Sequence, residues 1–262
     1  MAILEVESLS KAFGGIHAVR GIDFALEAGE LLALIGPNGA GKTTCFNCIN
    51  GQIRPDAGSV RLDGRELVGL APRAIWRLGV ARTFQITQTF GSLTVLENVQ
   101  ATFVSLHSRT LALWPRAGAM YRKPALELLE RVAMRDQADR PSGILAYGDL
   151  KRVELAIALA GAPKLLLMDE PTAGMAPRER TDLMALIRMV AKERQTPVLF
   201  TEHDMDVVFN HADRIMVMHR GELIATGTPA EVRADPRVQE TYLGAGPLPA
   251  AEDAEPADAR GG

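Results

Sequence analysis

Hydrophobic and polar residues alternate in several short stretches near the start of the chain. Residues 3–7 read Ile, Leu, Glu, Val, Glu, and a similar alternation returns at 19–26 and 59–62, with Gly-containing turns between the stretches. Such alternation predicts strands that bury one face. Residues 31–35 are instead continuously apolar, which is typical of a strand buried on both faces of a parallel sheet. The pattern therefore predicts an antiparallel edge layer beside a buried sheet.

Further strands and a helical stretch are predicted downstream. The apolar runs at 165–168 and 198–200 have the length and character of buried strands, and 215–218 and 222–225 flank an Arg-Gly turn, as in a hairpin. Residues from about 87 to 160 are predicted to be mostly helical, because apolar residues recur there at helical spacing. Buried strands that alternate with helices predict an α/β fold.

Composition narrows the range of functions. The chain has 262 residues and a net charge of −3, without the basic surplus typical of proteins that bind nucleic acid. It contains neither a run of roughly 20 apolar residues, as a membrane-spanning helix requires, nor a signal peptide at its start. We therefore expect a cytoplasmic protein without a nucleic-acid partner. Residues 245–262, rich in Ala, Pro, Gly and acidic residues, are predicted to be a disordered tail.

The only two cysteines, Cys45 and Cys48, have C-x-x-C spacing. This spacing occurs in redox pairs and in half of a zinc site, but a structural zinc site needs four ligands and no second pair exists. We therefore expect two reduced thiols that pack on one face of a helix.

The strongest chemical motif follows the apolar run at 31–35. Residues 36–43 read GPNGAGKT and match the phosphate-loop pattern G-x-x-x-x-G-K-[ST] between a strand and a helix. In such a loop the backbone N–H groups surround phosphate oxygens. Lys42 is predicted to reach the β- and γ-phosphates and Thr43 to bind Mg²⁺. The predicted nucleotide-binding residues here are Gly36, Pro37, Asn38, Gly39, Ala40, Gly41, Lys42, Thr43 and Thr44.

A second motif places two carboxylates at the end of the apolar run 165–168. Asp169 and Glu170 follow this predicted strand directly, so they should lie at the tip of the sheet beside the phosphate loop. Asp169 is predicted to bind Mg²⁺, and Glu170 to polarise an attacking water molecule.

The order of the motifs resembles that of ATP-binding cassette (ABC) ATPases. After the phosphate loop come Gln85, the segment LAYGD at 145–149, the Asp-Glu pair and His203 after a strand. The resemblance covers residues 3–243. It implies a RecA-like phosphate-loop core, an antiparallel β layer and a helical lobe at about 87–160, all within a cassette of residues 1–244.

The resemblance also implies roles for single residues. Phe13 would stack on adenine, although a core phenylalanine is the alternative. Gln85 would reach Mg²⁺ and the attacking water, and His203 would contact the γ-phosphate. The signature segment would close over the γ-phosphate of an opposite subunit. The residues of this segment predicted to contact nucleotide are Ala146, Tyr147, Gly148 and Asp149.

Three positions depart from the family pattern. The signature usually reads LSGGQ, so Ala146 lacks the serine hydroxyl and Asp149 adds a negative charge. Ala176 stands where an aspartate usually crosses between subunits. These departures predict weaker contacts between the two subunits. Other segments, GMAP at 174–177 and TYLG at 241–244 among them, resemble the LivG-type subunits of bacterial importers of branched-chain and other hydrophobic amino acids.

This resemblance implies ATP and Mg²⁺ as ligands and a second ABC subunit, identical or different, as partner. It also implies transmembrane permease subunits, a periplasmic binding protein as an indirect partner, and a peripheral position on the cytoplasmic face of the bacterial inner membrane. One alternative is a soluble ABC ATPase of another process, but such proteins usually carry two cassettes or a coiled-coil insertion. The other is a regulatory module that binds ATP with little or no hydrolysis. Glu170, Gln85 and His203 favour hydrolysis.

Overall fold

The computed structural model describes residues 2–83, 89–106 and 120–243, and their strands form two sheets. The predicted tail at 245–262 lies outside the described residues. The strands are β1 (Ala2–Phe13), β2 (Ile16–Glu27), β3 (Leu31–Ile35), β4 (Ala57–Leu62), β5 (Arg65–Glu66), β6 (Val80–Thr83), β7 (Leu165–Asp169), β8 (Val198–Thr201), β9 (Arg214–His219) and β10 (Glu222–Gly227).

The first sheet is antiparallel, with strand order β2-β1-β4-β5. Val6 lies at its centre, opposite Phe24 of β2 and Val60 of β4. The predicted antiparallel layer is therefore confirmed. β1 and β2 are each 12 residues long, longer than the alternation indicated, because shifts of register interrupt their pairing and with it the period of two.

The second sheet has the order β10-β9-β3-β8-β7-β6. β3 pairs in parallel with β8 and β9, and β7 pairs in parallel with β6 and β8. β10 forms the predicted hairpin with β9. The predicted buried strands are thus confirmed. β6 was not predicted, since its sequence Val-Ala-Arg-Thr is too short and mixed to give a pattern.

Helices cover the sheets and connect their strands. Within the stretch predicted to be helical, α3, α4 and α5 contribute buried apolar residues to one core. In the described ranges, no helix is long and apolar enough to span a membrane. The helices are α1 (Lys42–Ile49), α2 (Pro72–Arg77), α3 (Val95–Leu106), α4 (Arg122–Arg131), α5 (Tyr147–Ala160), α6 (Pro177–Arg194), α7 (Met205–His211), α8 (Pro229–Ala234) and α9 (Pro236–Leu243).

Two apolar cores lie on opposite faces of the second sheet, and β3 contributes to both. Leu31 and Ala33 belong to the core that packs under the helices, whereas Leu32 and Leu34 belong to the core under the antiparallel sheet. Every residue of β3 is buried. This arrangement explains why the sequence of β3 is apolar throughout rather than alternating.

The second core also contains Cys45 and Cys48, which lie on one side of α1. Both are buried and neither forms a disulfide, so the prediction of two packed thiols is confirmed. Burial is the main factor that raises the pKa of Cys48 to about 11 and that of Cys45 further. Both thiols are therefore protonated at neutral pH and unreactive.

Asp213, just before β9, connects the start of β3 to α6. Its carboxylate accepts hydrogen bonds from the Leu31 N–H at 2.9 Å, from Arg188 Nη2 at 2.7 Å and from Lys192 Nζ at 2.8 Å. Burial alone would raise the pKa of Asp213. The hydrogen bonds from Lys192 and Leu31, together with the two positive charges, outweigh burial and lower this pKa.

We expect Asp213→Asn to lower the free energy of unfolding by about 1–2 kcal/mol at pH 7, measured by urea denaturation. The folded-state pKa lies below the unfolded value of about 3.9, so the carboxylate stabilises the fold above that pH. This stabilisation is lost as the pH falls through the folded-state pKa. The two proteins should therefore converge in stability as the pH is lowered.

Asp63→Asn is the matched control, because Asp63 pairs with Lys164 at the surface and such pairs contribute little, about 0–1 kcal/mol. An unchanged gap between Asp213→Asn and the parent protein from pH 7 down to acid pH would contradict the role given to the Asp213 charge.

Candidate functional site

A cleft of about 210 Å³ opens at the carboxyl ends of β3, β7 and β8. These strands are parallel neighbours, so the loops that follow them meet at one edge of the sheet. The two predicted motifs, far apart in the sequence, are therefore brought together. The cleft is lined by Ala18, Asn38, Gly39, Ala40, Gly41, Lys42, Thr43, Thr44, Asp169, Glu170, Thr201 and His203.

The phosphate loop connects β3 to α1, as predicted. Gly41 directly precedes α1 and has a φ of 108°, a backbone conformation that favours glycine. The Lys42 side chain is largely buried, and its Nζ donates hydrogen bonds to the carbonyls of Gly36 at 2.5 Å and Pro37 at 3.2 Å. Burial lowers the pKa of Lys42, and the negative charges of Glu170 and Asp169 partly oppose this.

The carboxylate of Asp169 is held on both sides. The Thr201 hydroxyl donates to Oδ1 at 2.7 Å, and Arg82 Nη2 lies 3.3 Å from Oδ2. The same guanidinium donates to the side-chain oxygens of Asn47, at the end of α1, and Gln52. Sequence reasoning missed both Arg82 and Thr201, because neither belongs to a recognisable motif and only strand pairing brings them to Asp169.

Glu170 follows β7 directly and points toward His203. Glu170 Oε1 lies 2.9 Å from His203 Nε2. The backbone of Glu170 has a φ of 49°, in the left-handed region that non-glycine residues rarely adopt. The two residues predicted to act on the γ-phosphate and on water thus form one contact pair at the mouth of the cleft.

Phe13 and Gln85 are not among the described lining residues of the cleft. Phe13, at the end of β1, is 48% exposed, with Lys11 Nζ 5.4 Å from the centre of its ring. The alternative that it is a core residue is therefore wrong. Gln85 lies outside the described residues.

The signature segment lies at the start of α5 and likewise does not line the cleft within the described part of the chain. Ala146 directly precedes the helix and is exposed, as is Tyr147, whereas Gly148 is buried. The Tyr147 ring lies beside Gly174, where a Cβ would be 3.4 Å from Tyr147 Cε1. Lys151 Nζ lies 5.4 Å from the centre of the same ring.

The protein donors that could bind a metal ion are few. Across residues 2–83, 89–106 and 120–243, no group of three or more His, Cys, Asp and Glu side chains could hold one. Thr43 and Asp169 both line the cleft. This sparse oxygen set fits Mg²⁺, which retains several waters and binds through one or two protein groups plus substrate phosphates.

A second cavity, of about 520 Å³, lies between α2, α3, α5 and β6. We call it the lateral groove. It is lined by Asn50, Gln52, Pro72, Arg73, Trp76, Val80, Ala81, Arg82, Thr83, Thr102, Ser105, Glu154, Ile157 and Ala158. Arg82 is therefore a neighbour of both the groove and Asp169. The sequence contains no motif that marks this groove.

Comparisons with known proteins agree with this geometry. The family model for ABC transporters matches residues 19–173, and the model for branched-chain amino acid ATP-binding cassette transporters matches residues 222–247. The chain is 42% identical to BraF of Pseudomonas aeruginosa and 39% identical to LivG of Escherichia coli strain K12, both high-affinity branched-chain amino acid transport ATP-binding proteins. Each match covers 92% of this chain and 98% of the relative.

Among solved structures, the chain is similar to the ADP conformation of MJ1267, an ATP-binding cassette of an ABC transporter. The TM-score is 0.83 at 32% identity, over 93% of this chain and 99% of the other. The predicted α/β cassette fold and the LivG-type resemblance are confirmed. With a phosphate loop and a carboxylate pair in one cleft, and with this similarity over nearly its full length, the chain belongs to the ABC transporter family as one of its ATP-binding subunits.

Proposed function

We propose that this subunit hydrolyses Mg²⁺-bound ATP in the cleft and thereby drives the import of branched-chain or other hydrophobic amino acids. The observation that carries the proposal is the meeting of Lys42, Asp169, Glu170 and His203 in one cleft. The substrate class follows from the similarity to BraF and LivG. The relatives also favour a peripheral position on the cytoplasmic face of the membrane.

Nucleotide binding would replace contacts that already exist within the chain by contacts to the phosphates. The Lys42 ammonium, now bonded to two loop carbonyls, would move to the β- and γ-phosphates, where a charge-assisted contact is stronger. The loop N–H groups and the start of α1 favour the same phosphates. Thr43, Asp169 and Gln85 would hold Mg²⁺, which neutralises charge on the phosphates when bound.

Glu170 would accept a hydrogen bond from the attacking water and orient it toward the γ-phosphate. His203, at 2.9 Å from Glu170, would contact the γ-phosphate and hold the carboxylate in place. Phe13, exposed at the end of β1, would stack on adenine. With these roles for Glu170 and His203, hydrolysis is favoured over the alternative of a regulatory module that binds ATP without hydrolysing it.

The chain works with a second ABC subunit and with permease subunits. Because its signature segment is not among the described lining residues of its own cleft, we propose that Ala146, Tyr147, Gly148 and Asp149 cover the cleft of the second subunit. The second subunit is either an identical copy or a different ABC chain. A periplasmic binding protein would act indirectly, through the permease.

We propose that a permease segment docks in the lateral groove. Its walls combine the apolar side chains of Trp76 and Ile157 with polar groups such as Arg73 and Glu154, which is the composition expected of a protein-binding site. Arg82 lines this groove and also bonds to Asp169, so an occupant would lie within two side chains of the metal-binding carboxylate. We further propose a cassette spanning 1–244 with a helical lobe at about 87–160.

We expect Gly41→Ala to lower ATP affinity by about tenfold or more. A Cβ on Gly41 would lie 2.1 Å from the Ala18 carbonyl oxygen, so either the loop or β2 must shift and the phosphate-binding N–H groups lose their alignment. The measurement is nucleotide titration. Gly64→Ala is the matched control, because Gly64 also has a positive φ but its Cβ would meet no atom within 4 Å. Equal affinities for the two variants would contradict this account of the loop.

We expect Glu170→Gln to retain ATP affinity within about threefold and to lose nearly all turnover, because the amide keeps the shape but not the charge that orients water.

For Lys42→Ala, in contrast, we expect the main effect to be a loss of ATP affinity. Loss of a charge-assisted contact worth about 1.5–3 kcal/mol lowers ATP affinity roughly ten- to a hundredfold. Both are measured by nucleotide titration and steady-state hydrolysis. Undiminished hydrolysis by purified Glu170→Gln, with contaminating ATPase excluded, would refute the catalytic role.

We expect Ala158→Glu to keep the ATPase rate of the isolated subunit within about twofold and to abolish co-purification with the permease, since a buried unpaired charge in an interface is costly. The control is Met189→Glu, at an exposed position of α6 away from the lateral groove. Normal permease binding by Ala158→Glu would place the docking site elsewhere.

A further inference from the structure

Glu202, between Thr201 and His203, is a buried carboxylate without an obvious chemical role. It is 4% exposed, and none of the ion pairs found among the described residues includes it. Its Oε1 instead accepts two hydrogen bonds from Thr172, one from the N–H at 2.9 Å and one from the hydroxyl at 2.7 Å. Its Oε2 accepts from the His203 N–H at 3.2 Å. A buried charge held only by neutral donors is uncommon and requires good geometry.

Thr172 lies two residues after Glu170, so Glu202 joins the loop that follows β7 to the loop that follows β8. Thr172 is itself 1% exposed. This link connects β7 and β8 just beyond their last backbone pair, Asp169 and Thr201. It lies beside Glu170 and His203, the residues that the two loops contribute to the cleft.

Glu170 is the residue that most needs such support. Its φ of 49° is unfavourable for a residue with a Cβ, and such a conformation persists only where the surroundings enforce it. On the amino side, the Glu170 N–H donates to the Thr201 carbonyl at 3.1 Å and lies 3.2 Å from its hydroxyl oxygen. On the carboxyl side, the Glu170 carbonyl accepts a hydrogen bond from the Ala173 N–H at 3.1 Å. Between these two residues, Thr172 is buried and is held by Glu202.

We propose that Glu202 is a positioning residue for ATP hydrolysis, which holds Thr172 and His203 so that the Glu170 carboxylate stays at the mouth of the cleft. The proposal rests on the catalytic role of Glu170. Without the link from Glu202 to Thr172, the Glu170 backbone relaxes toward negative φ. Its carboxylate then moves away from His203 and from the water that it orients. Small displacements of a catalytic group reduce turnover much more than binding.

The test compares variants of the full-length chain, alone and assembled with its permease, by ATP affinity and by kcat and KM. Glu202→Gln keeps the shape but turns one accepting oxygen into a donor that faces an N–H group. Thr172→Val removes only the hydroxyl donor, and Thr172→Ser restores it. We expect Glu202→Gln and Thr172→Val to lower kcat about tenfold or more, with ATP affinity within about twofold. Thr172→Ser should stay close to the parent kcat.

Thr196→Val separates positioning from stability. Thr196 is buried like Thr172, with 4% exposed against 1%, and its hydroxyl donates to the Pro163 carbonyl at 3.2 Å. It lies before β8, at the end of the sheet opposite the cleft. This variant should lose a similar amount of thermal stability and keep kcat within about twofold. An equal fall of kcat in Thr196→Val and Thr172→Val would mean that the effect is one of stability, and would overturn the proposal.

The double variant Glu170→Gln with Glu202→Gln separates the positioning role of Glu202 from the catalytic role of Glu170. If Glu202 acts through Glu170, adding Glu202→Gln should not reduce the residual turnover of Glu170→Gln further. A further tenfold loss would overturn the proposal, and so would a parent-like kcat in Glu202→Gln and Thr172→Val. If Glu170→Gln itself retains parent turnover, the proposed catalytic role fails instead. Should Glu202→Gln not fold, Thr172→Val decides alone.

Discussion

The parallel pairing of β3, β8 and β7 is the constraint on which the site depends. Leu34 pairs with Thr201, and Thr201 pairs with Asp169, so the residues that follow these strands emerge side by side. The pairing is enforced by burial on both faces, because alternate residues of β3 belong to opposite cores. A slip of one residue would exchange these faces. The cleft geometry is therefore set by the packing of apolar side chains that never contact a ligand.

The charged groups of the cleft are satisfied within the chain. Lys42 bonds to two carbonyls of its own loop, Asp169 contacts Arg82, and Glu170 contacts His203. These contacts prevent the cost of leaving buried charges unpaired. When nucleotide and metal bind, contacts within the chain are replaced by contacts to the ligands. Each new contact therefore adds to the binding free energy only the difference between it and the contact that it replaces.

Side-chain contacts of β6 and α5 link the lateral groove to Asp169 and to Tyr147. Arg82 of β6 contacts Asp169 and lines the lateral groove, and Glu154 of α5 lines the same groove while pairing with Lys151, whose ammonium lies over the Tyr147 ring. Short chains of polar contacts therefore run from the groove to the cleft and to the signature segment. A permease segment in the groove would bias both, which is the physical requirement for coupling between sites.

The sequence by itself determined the phosphate loop, the buried strands that precede Gly36 and Asp169, and the antiparallel layer. These features depend on the local sequence. A run of apolar residues forms a buried strand and the glycines after it form a loop, and both patterns can be recognised from neighbouring residues alone. Only the tertiary structure decided that Arg82 contacts Asp169 and that Glu202 holds Thr172. Those contacts join residues 30 or more positions apart, and they follow from strand order and register, which are set by the packing of the whole core.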